Sequence, residues 1–388
     1  MRFYKYWQSC LGYIPRHVEW LISSQCNLRC KMCNVWKLGI TKTHTTQNEL
    51  SFSEGKGFLE ELSELGTKFL TLSGGEPMLR KDIFAIIRKA KKEQLQVEMI
   101  TNGTLITKAS AEKLVKSGLD GVTFSIDAPT SGTHDAIRGV KGAWKKAIEG
   151  MYHVSNAKRK YNNRKLKVSL DVVVTTINYQ MIDKLITLRS QLGYDEIHFL
   201  PIIPKTISSR NLLLTDNDLK DLQTNYLPLI SVTMRDAGLS LHRLSTLISL
   251  CKNMESTLAG KYALPKREEI LCFQPWQMAT VDPFGNVYPC CHACTFQNLS
   301  EDLMHGFWGT EDFKMGNLRS NTFREIWNNE SFITFRNRCK NSSLPFPICV
   351  YCNYGYGYDL FLTALFKKRK LLLKFIYYLF THALSAYL

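Results

Sequence analysis

Three cysteines, Cys26, Cys30 and Cys33, fall within eight positions of the stretch SSQCNLRCKMCNVW. Thiolates are soft ligands that hold zinc or iron–sulfur clusters. A structural zinc is closed by four ligands, and a disulfide framework uses an even number of cysteines, so a group of three is incomplete for either. Three thiolates on a four-iron cluster leave one iron without a protein ligand. That iron can take a chelating amino acid through its amino and carboxylate groups. The other reading is a three-cysteine zinc site completed by a distant residue. No cysteine follows Cys33 until Cys251, and then come Cys272, Cys290, Cys291, Cys294, Cys339, Cys349 and Cys352. Such clustering argues for ligand roles rather than for small core residues scattered along the chain.

The chain around these groups has 388 residues, 45% of them hydrophobic and 22% charged, enough for two domains with real cores. The formal charge of +16 suits nucleic acid, an anionic membrane or an anionic substrate, and alone selects none of them. The opening MRFYKYWQSCLGYIPRHVEW carries early charge but no long apolar run with a small-residue cleavage site. A cytosolic, reducing location is therefore expected, in which twelve cysteines read as metal ligands rather than disulfides.

The elements that must position the first group lie between residues 18 and 204. HVEWLISS, FLTLS, VEMIT, GVTFSI, KVSLDVVVT and EIHFLPII read as strands, and SEGKGFLEELSEL and RKDIFAIIRKAKKEQ as two of the helices between them. Ser53 and Gly66 serve as start and stop signals of the first helix. Six strands joined by helical crossovers imply a parallel sheet, open or curled toward a barrel, with its chemistry at the C-terminal strand ends. The cysteine triplet follows strand one, GGEP (Gly74 to Pro77) strand two, TNGT (Thr101 to Thr104) strand three and SIDAP (Ser125 to Pro129) strand four. All four motifs fall on one rim.

C-x3-C-x2-C after the first strand and GGE after the second resemble the radical S-adenosylmethionine (SAM) superfamily. The resemblance implies that Cys26, Cys30 and Cys33 hold a [4Fe–4S] cluster whose open iron binds SAM. It further implies that Gly74 and Gly75 let backbone approach the methionine part of SAM, that Glu76 pairs with its amino group, and that Ser125 hydrogen-bonds SAM with Asn102 and Asp127 close by. Met32 departs from the aromatic residue usual before the third cysteine and can fill the same gap. On the bland reading, GGEP is a turn before a helix, and Ser125 and Asp127 cap the segment that follows.

The later cysteines resemble the SPASM/twitch extensions of the same superfamily. Cys272, Gly285 and Cys290 match its opening spacing, and EIW (Glu325 to Trp327) and PICVYC with Cys349 and Cys352 continue it. Cys272, Cys290, Cys349 and Cys352 supply four thiolates for one auxiliary [4Fe–4S] cluster, or for a structural zinc. The further cysteines of a full SPASM domain after Cys352 are absent, so one auxiliary cluster is expected. Cys291, Cys294 and Cys339 are left over, each able to replace an assigned ligand. Cys291 stands where sulfatase-maturing relatives carry an aspartate, which argues against that activity. Its thiol is either a candidate hydrogen-atom donor, as an epimerase needs, or a packed side chain.

The expected fold is α/β, a partial (β/α)6 TIM-like barrel with a small cysteine-rich C-terminal SPASM/twitch domain and a terminal amphipathic helix. Its parts are the core barrel (18–204), a helical connection (205–265), the auxiliary-cluster domain (266–358) and a basic amphipathic helix (359–388). In that last segment Thr363, Lys367, Lys370, Lys374, Tyr378, Thr381 and Ser385 form one polar stripe. It reads as an interfacial helix on an anionic membrane surface or as a helix docked on protein. The expected function is reductive cleavage of SAM to a 5′-deoxyadenosyl radical, with an electron from a ferredoxin or flavodoxin. The radical then abstracts hydrogen from a small-molecule or lipid-linked substrate, in an oxidation or other modification. The alternative within this chemistry is a peptide maturase or epimerase. The alternative of another class is a zinc-binding nucleic-acid module, against which stand dispersed basic residues and no recognition motif.

Overall fold

The computed structural model describes residues 14–33, 35–38, 48–204, 207–262, 272, 274–297 and 313–341, and the single positions 346, 349 and 352. Six strands, β1 (His17–Ser23), β2 (Phe69–Gly74), β3 (Gln96–Thr101), β4 (Gly121–Ser125), β5 (Lys167–Val174) and β6 (Glu196–Pro201), lie where the apolar runs predict them. They pair in parallel and in sequence order, as helical crossovers require. Three further strands, β7 (Met278–Val281), β8 (Asn286–Tyr288) and β9 (Gly316–Asn317), extend the same sheet beyond β1. β7 runs parallel to β1, with His17 opposite Met278, and β8 and β9 return antiparallel. The C-terminal region is therefore continuous with the barrel sheet. Between the two parts the described chain is a run of short helices joined by turns, from Ile207–Arg210 to Met254–Leu258.

Alternation along the strands separates two faces. Val18, Trp20 and Ile22 of β1 and Val97 and Met99 of β3 are buried beneath the helices, whereas Glu19, Glu98 and Asp171 lie on the opposite face. The helix Phe52–Glu64 starts at Ser51, not at the expected Ser53. Ser51 accepts the Glu54 N–H and Glu54 accepts the Ser51 N–H, a reciprocal cap that needs a glutamate three residues on. Gly66, at φ +85°, follows its end, as expected.

The helix packs closely on β1. A Cβ at Gly55 would meet the Trp20 ring at 2.4 Å. Edge contacts run from Trp20 to Phe58 (5.6 Å between centroids) and on to Phe323 (5.4 Å), which neighbours Trp327. Each such pair contributes about 0.5–1.5 kcal/mol beyond its buried area. The EIW motif thus lies in the helix Phe323–Asn328, whose buried face of Phe323, Ile326 and Trp327 packs the C-terminal region against the helix Phe52–Glu64. Arg336 lies over Trp327 at 4.2 Å and donates to the carbonyls of Trp327 and Pro275, holding the chain that follows Cys272.

Candidate functional site

The cysteine triplet occupies the loop that leaves β1. Its start is clasped by the GGEP turn, with Gly75 N–H donating to Ser23 O and Glu76 N–H to Gln25 O, both at 2.7 Å. A Cβ on Gly75 would stand 1.9 Å from Gln25 O, and one on Gly74, itself at φ +119°, 2.6 Å from Ser23 O. The glycines are thus required by the chain's own loop-to-loop contact. Glu49 reinforces the clasp by accepting the Ser24 N–H at 2.7 Å and its hydroxyl at 2.8 Å. Glu49 carries no motif, and its distance from the triplet in sequence hid it.

Glu76 is fully buried. Its carboxylate accepts from Met78 N–H (3.0 Å), Thr101 Oγ1 (2.7 Å) and Asn102 N–H (2.8 Å), which ties β2 to β3. Burial raises its pKa and these three donors oppose the rise. The expected partner of a cofactor amino group is therefore already a brace within the protein. Asn102 reaches from the end of β3 to the cysteine loop. Its Nδ2 donates to Asn27 Oδ1 at 2.9 Å and stands 3.9 Å from Cys26 Sγ. Ser125, at the end of β4, is half-buried and its hydroxyl makes no hydrogen bond to another described residue.

Asp127 is committed elsewhere. It is buried and paired with Arg138 Nε at 2.7 Å, and accepts the Val173 N–H at 3.0 Å. The structure therefore does not offer it to a ligand. Arg138, unremarked in the sequence, extends its Nη1 to 3.8 Å from Cys30 Sγ. Met32, like Cys26 and Cys33, packs against the small cluster of Leu28, Cys30 and Ala143.

The three thiols fit an iron–sulfur group. None of the described cysteines is in a disulfide. N–H donors approach the sulfurs of Cys26 (Leu28 N–H, 3.4 Å, and Asn102) and Cys30 (Arg138), as a thiolate's charge requires. Burial pushes the Cys30 thiol up to about 12, with the Arg138 charge pulling down, and burial likewise raises Cys26. Such thiols give up their protons when a cation takes the proton's place.

Below the rim the sheet's inner face is polar. Thr123 donates to Glu98 at 2.6 Å, and His198 Nδ1 meets Asp171 at 2.8 Å. Ser125, Asp171 and His198 occupy one lateral row across β4, β5 and β6. Burial would lower the His198 pKa, but hydrogen bonds to Asp171 and Glu196 outweigh it and hold the imidazole at about 9.

The later cysteines converge. Cys290 follows β8 and accepts the Ala293 N–H at 3.4 Å. Burial raises its pKa well above the ordinary value, and the Cys272, Cys349 and Cys352 sulfurs lie near enough to add to the rise. The Cys352 N–H donates to Cys349 O at 3.1 Å. The unassigned Cys339, buried in the helix Glu330–Asn341, lies beside Cys272, and their proximity lowers the pKa of Cys272 and raises that of Cys339. Five thiols thus gather where four were assigned. Cys291 opens the helix Cys291–Gln297 beside His292 (3.6 Å), and Cys294 is buried in the same helix. Since β8 descends antiparallel beside β7, Cys290 lies near the N-terminal end of β1 and the triplet beyond its C-terminal end. At 3.3 Å per residue, β1 sets the two groups roughly 20 Å apart.

Family comparison agrees with this arrangement. The radical SAM superfamily model matches residues 20–189, and the SPASM iron–sulfur cluster-binding domain matches 272–353. The chain belongs to the radical SAM superfamily and carries a SPASM domain. It is 32% identical over 190 residues to the AdoMet-dependent heme synthase of Methanosarcina barkeri, covering 49% of this chain and 51% of that one. The chain thus spans about half the length of the heme synthase relatives it matches. A longer match, 24% identical over 341 residues, is to the tungsten-containing aldehyde ferredoxin oxidoreductase cofactor-modifying protein of Pyrococcus furiosus, covering 86% of this chain and 85% of that one. In fold the radical SAM chain resembles Streptococcus suis SuiB bound to S-adenosylmethionine, with a TM-score of 0.59 at 17% identity over 88% of this chain and 72% of that one. This membership decides against the zinc-binding nucleic-acid module. Among the described residues no helix is long and apolar enough to cross a membrane. The expected terminal helix, 359–388, lies outside the described residues.

Proposed function

We propose that this chain is a radical SAM oxidoreductase or modifying enzyme. Cys26, Cys30 and Cys33 hold a [4Fe–4S] cluster that, when reduced by one electron from a ferredoxin or flavodoxin, cleaves bound SAM to methionine and a 5′-deoxyadenosyl radical that abstracts a substrate hydrogen. The observation that carries this reading is the triplet loop itself. It puts three sulfurs at the C-terminal rim of a parallel barrel, meets two of them with N–H donors, and is held by a glycine clasp that admits no side chain.

In this reading Glu76 and Asn102 fix the rim, and the Ser125 hydroxyl is the group left to meet the cofactor. The polar row of Ser125, Asp171 and His198 orients a substrate below it. Cys290, Cys349, Cys352 and one of the pair Cys272 and Cys339 would hold an auxiliary [4Fe–4S] cluster able to take the second electron of an oxidation. The substrate class favoured is a small molecule, in keeping with the small-molecule synthases among the relatives. The basic, apolar tail would bring a lipid-linked substrate within reach. Peptide modification is the second reading, supported by a fold shared with SuiB bound to its precursor peptide SuiA.

Anaerobic reconstitution with iron and sulfide counting tests the proposal. About eight irons per chain are expected for two four-iron clusters, with 5′-deoxyadenosine formed from SAM under strong reductant. A protein that binds zinc, stays colourless and leaves SAM intact would overturn it.

A further inference from the structure

We propose that Arg138 is a positioning residue for the SAM cluster: clamped by Asp127, its guanidinium hydrogen-bonds the Cys30 sulfur and sets the cluster's reduction potential. The inference rests on the reading of Cys26, Cys30 and Cys33 as cluster ligands.

The geometry ties one helix end to one ligand in two ways. The helix Ser131–Arg138 ends at Gly139, whose φ of +71° lets the chain turn against the cysteine loop. A Cβ there would stand 2.2 Å from Arg29 O. The carbonyls of Ile137 and Arg138 accept the N–H groups of Lys31 and Arg29, both at 3.0 Å, so the helix end grips the loop on either side of Cys30. The side chain then acts on the ligand directly. Nη1 points at Cys30 Sγ at 3.8 Å while Nε is fixed on Asp127 Oδ2 at 2.7 Å. Asp127 is itself held from three sides. Val173 N–H donates to its carboxylate, its own N–H donates to His134 Nδ1, and Asn178 Nδ2 donates to its carbonyl.

Two opposite charges at different distances from one sulfur make a signed device. Arg138 touches the sulfur and Asp127 stands behind it. His134 adds no third charge, because burial holds its imidazole neutral at about 3. Reduction adds one electron to the cluster, so a nearby cation raises the potential and a nearby anion lowers it. Removing the cation and removing the anion must therefore shift the potential in opposite directions. Simple loosening of the loop would shift both variants alike.

The test uses the full chain, reconstituted anaerobically, with iron counted and the SAM cluster followed by electron paramagnetic resonance during redox titration. The SAM-induced change in the signal identifies that cluster. Arg138→Gln is expected to lower the midpoint, reducing the reduced fraction at fixed potential about tenfold, which is 59 mV for one electron. Asp127→Asn is expected to raise it. Midpoints that stay put, or that move the same way in both variants, overturn the proposal. Should Arg138→Gln fail to hold iron, the Asp127→Asn titration decides alone: a raised midpoint supports the proposal, and an unmoved or lowered one refutes it. Failure of the underlying reading looks different. Cys30→Ala would then keep its full iron content.

Discussion

Gly75→Ala tests the clasp that presents the cysteine triplet. The added Cβ would stand 1.9 Å from Gln25 O and 2.4 Å from Gln25 C, where real contacts do not fall below 3.0 Å. Both neighbours are backbone, so no rotamer change relieves the clash, and the two loops must part by at least 1.1 Å. That movement stretches the 2.7 Å bonds from Gly75 N–H to Ser23 O and from Glu76 N–H to Gln25 O beyond hydrogen-bond reach. Each is worth about 1 kcal/mol net, and more where the freed group stays buried. The expected destabilisation is about 2–4 kcal/mol. Gly57→Ala is the control, because nothing lies within 4 Å of its Cβ and it sits inside the helix Phe52–Glu64. There alanine should add about 0.8–1 kcal/mol of stability. Thermal melts of the two variants should move in opposite directions, and Gly75→Ala should in addition lose about half of the reconstituted iron, the share of one four-iron cluster of two. A Gly75→Ala protein that melts like the wild type and keeps all its iron would show that the clasp does not hold the site.

Other perturbations separate the remaining assignments. Cys290→Ser should bring the iron down to about four per chain while leaving SAM cleavage measurable, because only the auxiliary group is lost. Cys339→Ser should keep the full iron and Cys272→Ser should not, since Cys272 is the member of that pair whose spacing to Gly285 and Cys290 matches the SPASM opening; the reverse result would exchange their roles. His198 predicts a pH dependence. Its folded pKa of about 9 lies above the ordinary 6.5, so its contribution, at most about 3 kcal/mol, is complete below pH 6.5 and is lost as the pH rises through 9. Denaturant titrations between pH 6 and 10 should therefore show a steeper decline for wild type than for His198→Gln, and superimposable profiles would remove the argument.

What the sequence revealed and what it hid follow from the range of the forces involved. The six barrel strands were legible because β-branched and apolar runs bounded by turn residues are local signals, and the structure returns each within a residue or two. The first helix was read two residues late because Ser51 and Ser53 are both capping residues, and only the reach of Glu54 to Ser51 decides between them. The pairing of Met278–Val281 with His17–Trp20 had no local sign, since its partners are some 260 residues apart and each strand looks complete by itself. The same limit applies at the site. Cys26, Cys30, Cys33 and Glu76 stand out by spacing, whereas Glu49, Arg138 and Cys339 act through contacts that only folding creates. The glycines show the limit most plainly. Their lack of a side chain is visible in the sequence and suggests room for an incoming ligand, while the atoms that would collide with a Cβ within the protein are backbone atoms of Ser23 and Gln25. A motif can thus point to the right site through residues whose first duty is to the loop that builds it.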